Sequence, residues 1–344
     1  MIEVITPIWR RVLQRPSAGV EDNFFEAGGD APLARELFAE IAQACGRDLP
    51  RVLICQAPTL AALAALLEQP TSPRLSPLVL LRAGAEKPPV FMAHGIGGDM
   101  MDFSRLAQHL PAPHTIYGMQ AKGMDGLDEP LQSVEDMAEF YLDAIRKIQA
   151  CGPYFLIGYS LGGLVMLEIA QRLWERGENV GLLAMLETYP DMRYLPPGQR
   201  MRLMARRARR RVSEVRQLPV REALSRIIPN RFRTSANRRG NEDRQPPGGL
   251  SFAEAAEQVR EKAELALAIY RPRFYRGKIK FVRAGTPSYF PDDPAAVWAH
   301  LAAGFEVETV PGDHVGIVAT HFESLAAVLT RYVEESVRQE MSPR

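Results

Sequence analysis

The sequence predicts an α/β domain with a mostly parallel sheet and a helical insertion, preceded by a small all-α bundle. Three observations point there. From residue 78 onward, short apolar runs bounded by turn residues alternate with helical periodicity, the pattern of a parallel sheet covered on both faces. Before residue 70 only helical spacing appears. Between the two lies Gln69-Pro70-Thr71-Ser72-Pro73, with Pro77 beyond, rich enough in breakers to read as a linker over 70–77.

In the first segment, 1–69, Ile5, Ile8, Trp9, Val12 and Leu13 recur at helical spacing, as do Leu33, Leu37, Phe38 and Ile41, then Leu60, Leu63, Leu66 and Leu67. In the second segment, 78–344, strands are expected at Leu78–Leu81, Val90–Ala93, Tyr154–Gly158, Gly181–Leu186, Ile279–Arg283 and Phe305–Val310. Helices are expected at Phe103–Leu110, Val134–Ala150 and Leu161–Arg176. Residues from about 191 to 268 interrupt this alternation. Between Asp191 and Arg244 they hold sixteen arginines against five acidic residues and no lysine. A helical insertion at that place in a sheet suits a lid over an active site, with its charges facing water. The alternative is a cluster, such as Arg206, Arg207, Arg209, Arg210 and Arg211, that attracts a phosphate or an acidic partner.

At 344 residues the chain is long enough for one α/β domain of usual size and a small partner. A formal net charge of +1 gives no sign of nucleic-acid or membrane binding. Cys45, Cys55 and Cys151 have neither disulfide-framework nor zinc-site spacing, so buried, reduced thiols are expected and no metal site. No basic region precedes an apolar stretch at the N-terminus. The longest apolar stretch, Phe155 to Ala170, is broken by Ser160, three glycines and Glu168, and is too short to span a bilayer. The expected location is cytoplasmic.

Gly158-Tyr159-Ser160-Leu161-Gly162-Gly163 matches G-x-S-x-G, entered by an apolar strand and left by an amphipathic helix. That is the nucleophile elbow of an α/β-hydrolase, in which a tight turn lifts the serine above the sheet and tolerates no bulky flanking residue. Ser160 is therefore the candidate nucleophile. The strand ending at Ala93 runs into His94-Gly95-Ile96-Gly97-Gly98, a glycine-rich loop whose Ile96 N–H, with that of Leu161, suits an oxyanion hole. His94 belongs to that loop rather than to proton transfer. The strand ending at Val310 is followed by Pro311-Gly312-Asp313-His314, and among six histidines His314 alone falls last in the order serine, acid, histidine with a strand before it. His109, His114, His300 and His321 fall in helical or turn segments. The strand after the elbow helix delivers Glu187 as the acid; Asp191 is the runner-up, and Asp313 adjoins His314 too closely to orient it.

Residues 78–344 resemble the thioesterase domains that release products from nonribosomal peptide and polyketide synthases. The matching pieces are His94 to Gly98, Gly158 to Gly163, Glu187-Thr188-Tyr189-Pro190, Tyr270-Arg271-Pro272 and Pro311 to His314. That family usually carries Asp where this chain has Glu187. Residues 1–69 are similar to a peptidyl carrier protein through Asp22-Asn23-Phe24-Phe25-Glu26-Ala27-Gly28-Gly29-Asp30. In such carriers the next residue is a serine that takes a phosphopantetheine arm; here it is Ala31, which has no hydroxyl. The resemblance implies transfer of an acyl or peptidyl chain from a pantetheine thioester to Ser160. The acceptor is then water or an internal nucleophile, in secondary-metabolite biosynthesis, with acyl or peptidyl carrier protein and synthase subunits as partners. No cofactor on this chain is expected, since Ala31 offers no attachment point. A serine hydrolase or acyltransferase for oxygen esters and a non-catalytic docking protein are the alternatives.

Overall fold

A computed structural model describes residues 1–46, 49–69, 74–110, 113–216, 250–287 and 290–341, with backbone alone for 207 and 209–216. Among the described residues the N-terminal module holds four helices, α1 (Ile2–Val12), α2 (Ala31–Cys45), α3 (Leu53–Gln56) and α4 (Leu60–Leu67). α1 buries Ile5, Ile8, Trp9 and Val12, one stripe of an amphipathic helix. α2 starts where the Asp30 carboxylate accepts from Leu33 N–H at 2.9 Å and stops at Gly46, whose φ of 66° is the left-handed cap glycine favours. The Asp22 to Asp30 stretch is a structural turn in its own right. Phe24 is fully buried against Trp9, ring centroids 5.5 Å apart, and its N–H donates to Pro58 O at 2.7 Å.

The second segment folds around a seven-stranded sheet: β1 (Leu78–Arg82), β2 (Glu86–Ala93), β3 (His114–Met119), β4 (Tyr154–Tyr159), β5 (Val180–Leu186), β6 (Tyr275–Ala284) and β7 (Ala302–Val310). Their spatial order is β1-β3-β2-β4-β5-β6-β7. Among the described residues of this sheet only the β1–β3 pairing is antiparallel; the other five are parallel. β4 lies at the centre and is buried along all but its last residue, which is why it reads as a continuous apolar run rather than an alternation. The six expected strands are all present. β3 was not expected: its residues alternate buried and half-buried and begin with a histidine, so no apolar run announces it. His114 therefore lies in a strand, its ring Nδ1 2.8 Å from Pro88 O, and not in a helix or turn.

Helices α5 (Ser104–His109), α6 (Val134–Ile148) and α7 (Leu161–Glu175) follow the expected stretches closely. The insertion between β5 and β6 contains α8 (Pro197–Arg216) and α9 (Phe252–Ile269), the latter started by a capping box of Ser251 and Glu254. The expected lid over 191–268 includes 217–249, which lie outside the described residues. Arg206 pairs with Asp292 at 2.5 Å, so this arginine is tied to the loop after β6. The rest of that arginine cluster lies outside the described side chains. The chain continues through α10 (Ala295–Trp298) and α11 (Gly316–Ala319) to the long α12 (Phe322–Met341), which packs on β5. Cys55 is buried, Cys45 half-buried and Cys151 exposed, so burial does not hold for all three thiols. Among the described residues no helix is long and apolar enough to cross a membrane.

The N-terminal module and the sheet share one apolar core, and polar pairs fix their register. Arg51, just before α3, donates to Asp99 at 2.8 Å and lies 3.6 Å from Asp102, both in the loop after β2. Asp30 pairs with Arg105 of α5. Between these ion pairs Cys55 Sγ meets Met101 Sδ at 3.3 Å. Arg51 and Asp99 are largely buried, so removing the guanidinium strands a carboxylate in a poorly solvated place. Arg51→Ala is expected to raise amide hydrogen exchange across residues 99–105 while leaving β5 and β6 protected. Exchange unchanged in that loop would show that these pairs do not hold the joint.

Candidate active site

At the carboxyl end of β4 the chain turns into α7 within one residue, Ser160. Its backbone sits at φ 54° and ψ −119°, a region that costs a non-glycine residue about 1–3 kcal/mol. The sheet holds it there: Ser160 N–H donates to Leu186 O at 2.8 Å, carrying the β4–β5 ladder one step past the strand. The flanking glycines are required by contact. A Cβ on Gly158 would lie 2.3 Å from Gly162 O, one on Gly162 2.3 Å from His94 O, and one on Gly163 2.0 Å from Thr188 Oγ1. Leu161 opens α7, so its N–H has no acceptor within the helix and lies at the positive end of the helix dipole.

Glu187 follows β5 directly and repeats the pattern of Ser160. Its φ is 46°, and its N–H donates to Val282 O of β6 at 2.8 Å. The side chain is buried at 3% exposure; Oε1 accepts from Ala284 N–H at 2.7 Å, which leaves Oε2 to face His314 Nδ1 at 3.5 Å. That separation exceeds the usual N–H···O range of about 2.7–3.2 Å. His314 Nδ1 is buried and makes no hydrogen bond of normal geometry. The other two acidic candidates are turned elsewhere: Asp191 accepts from Arg193 N–H at 3.0 Å and pairs with its guanidinium, and Asp313 accepts from Gly316 N–H at 2.8 Å. Glu187 is thus the carboxylate that the fold brings to the histidine.

Sequence reasoning missed the groups that hold the His314 ring. Tyr159, the variable residue of the elbow motif, donates its hydroxyl to His314 O at 2.7 Å and stacks on the imidazole, centroids 5.0 Å apart. Burial, aided by the carboxylates of Glu187, Asp102 and Asp313, pushes the Tyr159 hydroxyl upward, so it stays a donor. Phe290 approaches the imidazole as well, at 4.4 Å. The motif itself leaves the Tyr159 position free, and Phe290 lies far off in sequence, so only the aromatic character of Tyr159 was available as a signal. Ser160 and His314 line one cavity of about 220 Å³ with Ile96, Phe103, Val315 and Val318, while Asp99 and Asp102 stand at the side nearest the N-terminal module. Ile96 is half-buried and lines this cavity with Gly95, Gly97 and Gly98 of the loop after β2. Of the remaining histidines, His109 Nδ1 lies 2.9 Å from Arg105 O, and His94 is buried away from Ser160 and His314 against Tyr141.

Residues 88–332 match the family model described as thioesterase domain, well over half of the chain. The chain belongs to this thioesterase family. Residues 3–67 match the model described as phosphopantetheine attachment site, so the chain pairs a carrier domain with a thioesterase domain. It is 38% identical over 195 residues to a dimodular nonribosomal peptide synthase of Bacillus subtilis (strain 168), covering 56% of this chain and 8% of that protein. It is 34% identical over 183 residues to indigoidine synthase of Streptomyces lavendulae, covering 53% of this chain and 14% of that protein. The chain thus spans only a small part of the length of these relatives. Among solved structures, it resembles a holo four-domain nonribosomal peptide synthetase over 96% of this chain and 26% of that one, with 23% identity and a TM-score of 0.60. It also resembles the NocB thioesterase domain in covalent complex with a fluorophosphonate nocardicin G analog, over 72% of this chain and 96% of that one, with 21% identity and a TM-score of 0.51. These likenesses show the α/β-hydrolase fold with its N-terminal carrier bundle.

The match over 3–67 corrects the expectation of no cofactor, because the family it identifies carries a phosphopantetheine prosthetic group. The attachment position tests poorly for that group in this chain. Ala31 is the first residue of α2, buried at 8% exposure, and its methyl group provides no oxygen for a phosphodiester. The Asp30 carboxylate beside it is already divided between Leu33 N–H and Arg105. The residues present do not fit the group at Ala31.

The thioesterase elbow leaves no room at Gly163. Gly163→Ala is expected to force Thr188 and the adjoining end of β5 outward and to destabilise the protein by about 1–3 kcal/mol. Urea denaturation checks this, and wild-type stability would show that the approach of α7 to Thr188 has slack.

Proposed function

We propose that this thioesterase domain releases an acyl or peptidyl chain from a pantetheine thioester in secondary-metabolite biosynthesis. Ser160 acts as nucleophile, His314 as base and Glu187 as its acid. The observation that carries the reading is the Glu187 Oε2 to His314 Nδ1 approach at 3.5 Å, with His314 and Ser160 lining the same cavity. With Nδ1 turned to the carboxylate, Nε2 is the ring nitrogen left for the serine hydroxyl. Catalytic hydrogen bonds of this kind shorten when substrate is bound.

The Ser160 Oγ–H proton passes to His314 Nε2 as Oγ bonds to the thioester carbonyl carbon. Ile96 N–H and Leu161 N–H hold the oxyanion of the tetrahedral intermediate, each strong donor contributing about 3–4 kcal/mol. Glu187 keeps the imidazole in one tautomer and stabilises the imidazolium. The carbon–sulfur bond then breaks, the thiolate leaves as its thiol with the proton from His314, and the acyl group stays on Ser160. Water, or a nucleophile within the acyl chain, attacks this ester as His314 takes its proton; the acyl carbon–Oγ bond then breaks and His314 returns the proton to Ser160 Oγ. The cavity walls of Ile96, Phe103, Val315 and Val318 suit an apolar acyl portion.

We assign residues 1–69 to the carrier-like module, 70–77 to a linker and 78–344 to the thioesterase domain, with a carrier protein and synthase subunits as partners. Intact-protein mass spectrometry after mixing with a short acyl-pantetheine is expected to show one acyl adduct on wild type and none on Ser160→Ala; full turnover by that variant would sink the assignment. Glu187→Gln is expected to lower kcat by roughly 10³–10⁴ with little change in KM, as loss of a tautomer-fixing carboxylate does elsewhere. A matched oxygen ester turned over faster than the thioester would instead favour an esterase.

A further inference from the structure

The loop after β2 contains a buried histidine that the mechanism above does not use. His94 is 2% exposed, its Nδ1 lies 2.6 Å from Gly95 O, and its Nε2 lies 2.6 Å from the hydroxyl of Tyr141 in α6, itself 1% exposed. These partners fix the tautomer. A backbone carbonyl only accepts, so Nδ1 carries the proton; Nε2 of the neutral ring then accepts from Tyr141. Burial favours the same state on both sides. It lowers the tendency of His94 to take a second proton, against the opposing pull of Gly95 O and Asp99, and it keeps the Tyr141 hydroxyl protonated.

Gly95 O belongs to the same peptide plane as Ile96 N–H. The Gly95–Ile96 bond is trans, so the carbonyl and the N–H point in opposite directions across that plane. Gly95 O receives two donors, His94 Nδ1–H at 2.6 Å and Gly98 N–H at 3.2 Å. The loop is fixed further along as well: Gly98 O accepts from Gln120 Nε2 at 2.9 Å and from Ala121 N–H at 3.1 Å. At its other end His94 O lies where a Cβ on Gly162 would fall, so the loop is registered directly against the elbow. Turning the Gly95 carbonyl away would turn the Ile96 N–H with it.

We propose that His94 and Tyr141 form a positioning pair that aims the Ile96 N–H at the reaction centre by holding the Gly95 carbonyl from behind. The inference rests on the reading of Ile96 as an oxyanion donor. His94 touches no reacting atom. It acts only through the peptide plane, and its contribution is realised in the transition state, where negative charge grows on the acyl oxygen.

The side-chain amide nitrogen of an asparagine falls near the place of a histidine Nδ1, whereas that of a glutamine falls nearer Nε2. The test is therefore the set His94→Asn, His94→Gln, His94→Leu and Tyr141→Phe, assayed on a short acyl-pantetheine. Amide exchange at Ile96 and fluorophosphonate labelling of Ser160 are followed in parallel. His94→Gln and His94→Leu are expected to lose about 10–100-fold in kcat at nearly constant KM, and to slow labelling by a similar factor. His94→Asn should recover most of that loss. Tyr141→Phe, which frees the tautomer but keeps the ring, should lose about 3–10-fold and speed exchange at Ile96. Equal activity of the Asn and Gln variants, or a rise in KM with kcat intact, would overturn the proposal. If His94→Leu fails to fold, the Asn–Gln pair and Tyr141→Phe decide. Failure of the underlying reading looks different: wild type would then resist labelling at Ser160, and Ser160→Ala would still turn over.

Discussion

Helix α7 approaches the sheet so closely that hydrogen atoms stand where side chains would otherwise be. Gly158 faces the helix's own first turn, Gly162 faces the end of β2, and Gly163 faces the residue after Glu187. One turn of backbone therefore sets the spacing between the elbow, the glycine-rich loop and the acid. Two of these contacts are backbone on backbone and the third meets the Thr188 side chain, and packing this close leaves little slack. Three parts of the site are in register before any functional group meets another.

Two of the three catalytic candidates sit in backbone conformations that only surrounding structure enforces. Ser160 and Glu187 both have positive φ, and each N–H donates to the next strand, to Leu186 O and Val282 O. The parallel ladder β4–β5–β6 is thus prolonged one residue beyond each strand end, and the strain at those residues is offset by hydrogen bonds that extended strands alone would not have formed. His314 is held differently. It stands in a loop after β7, anchored through Tyr159 OH on its carbonyl and by the rings of Tyr159 and Phe290. Those contacts are softer, and the 3.5 Å gap to the Glu187 carboxylate falls on the histidine side.

The parts legible in the sequence were those with local signatures. The elbow, the glycine-rich loop, the order of serine, acid and histidine, and six of the strands each show in a short window of residues. β3 did not show, since half-burial on one face breaks its apolar run, and the antiparallel course of β1 has no local mark at all. Tyr159, Tyr141 and Phe290 were invisible because their importance depends on partners many residues away. Choosing Glu187 over Asp191 rested on its place at a strand end. The reason that position serves, one carboxylate oxygen bound by Ala284 N–H and the other facing the imidazole, belongs to tertiary structure. The expectation about the cofactor failed for another cause: it rested on the single residue Ala31, whereas the match that overturns it spans residues 3–67.

The joint between the two segments also has an electrostatic side. Asp99 and Asp102 belong at once to the rim of the thioesterase cavity and to the contact with Arg51. While the N-terminal module is seated, its guanidinium compensates one of these two carboxylate charges. With the module displaced, two anions would remain on one side of an otherwise apolar opening, and their field would reach incoming molecules across about 10 Å at moderate salt. The seating of the helical bundle thereby bears on the charge at the mouth of a cavity to which the bundle itself adds no lining residue.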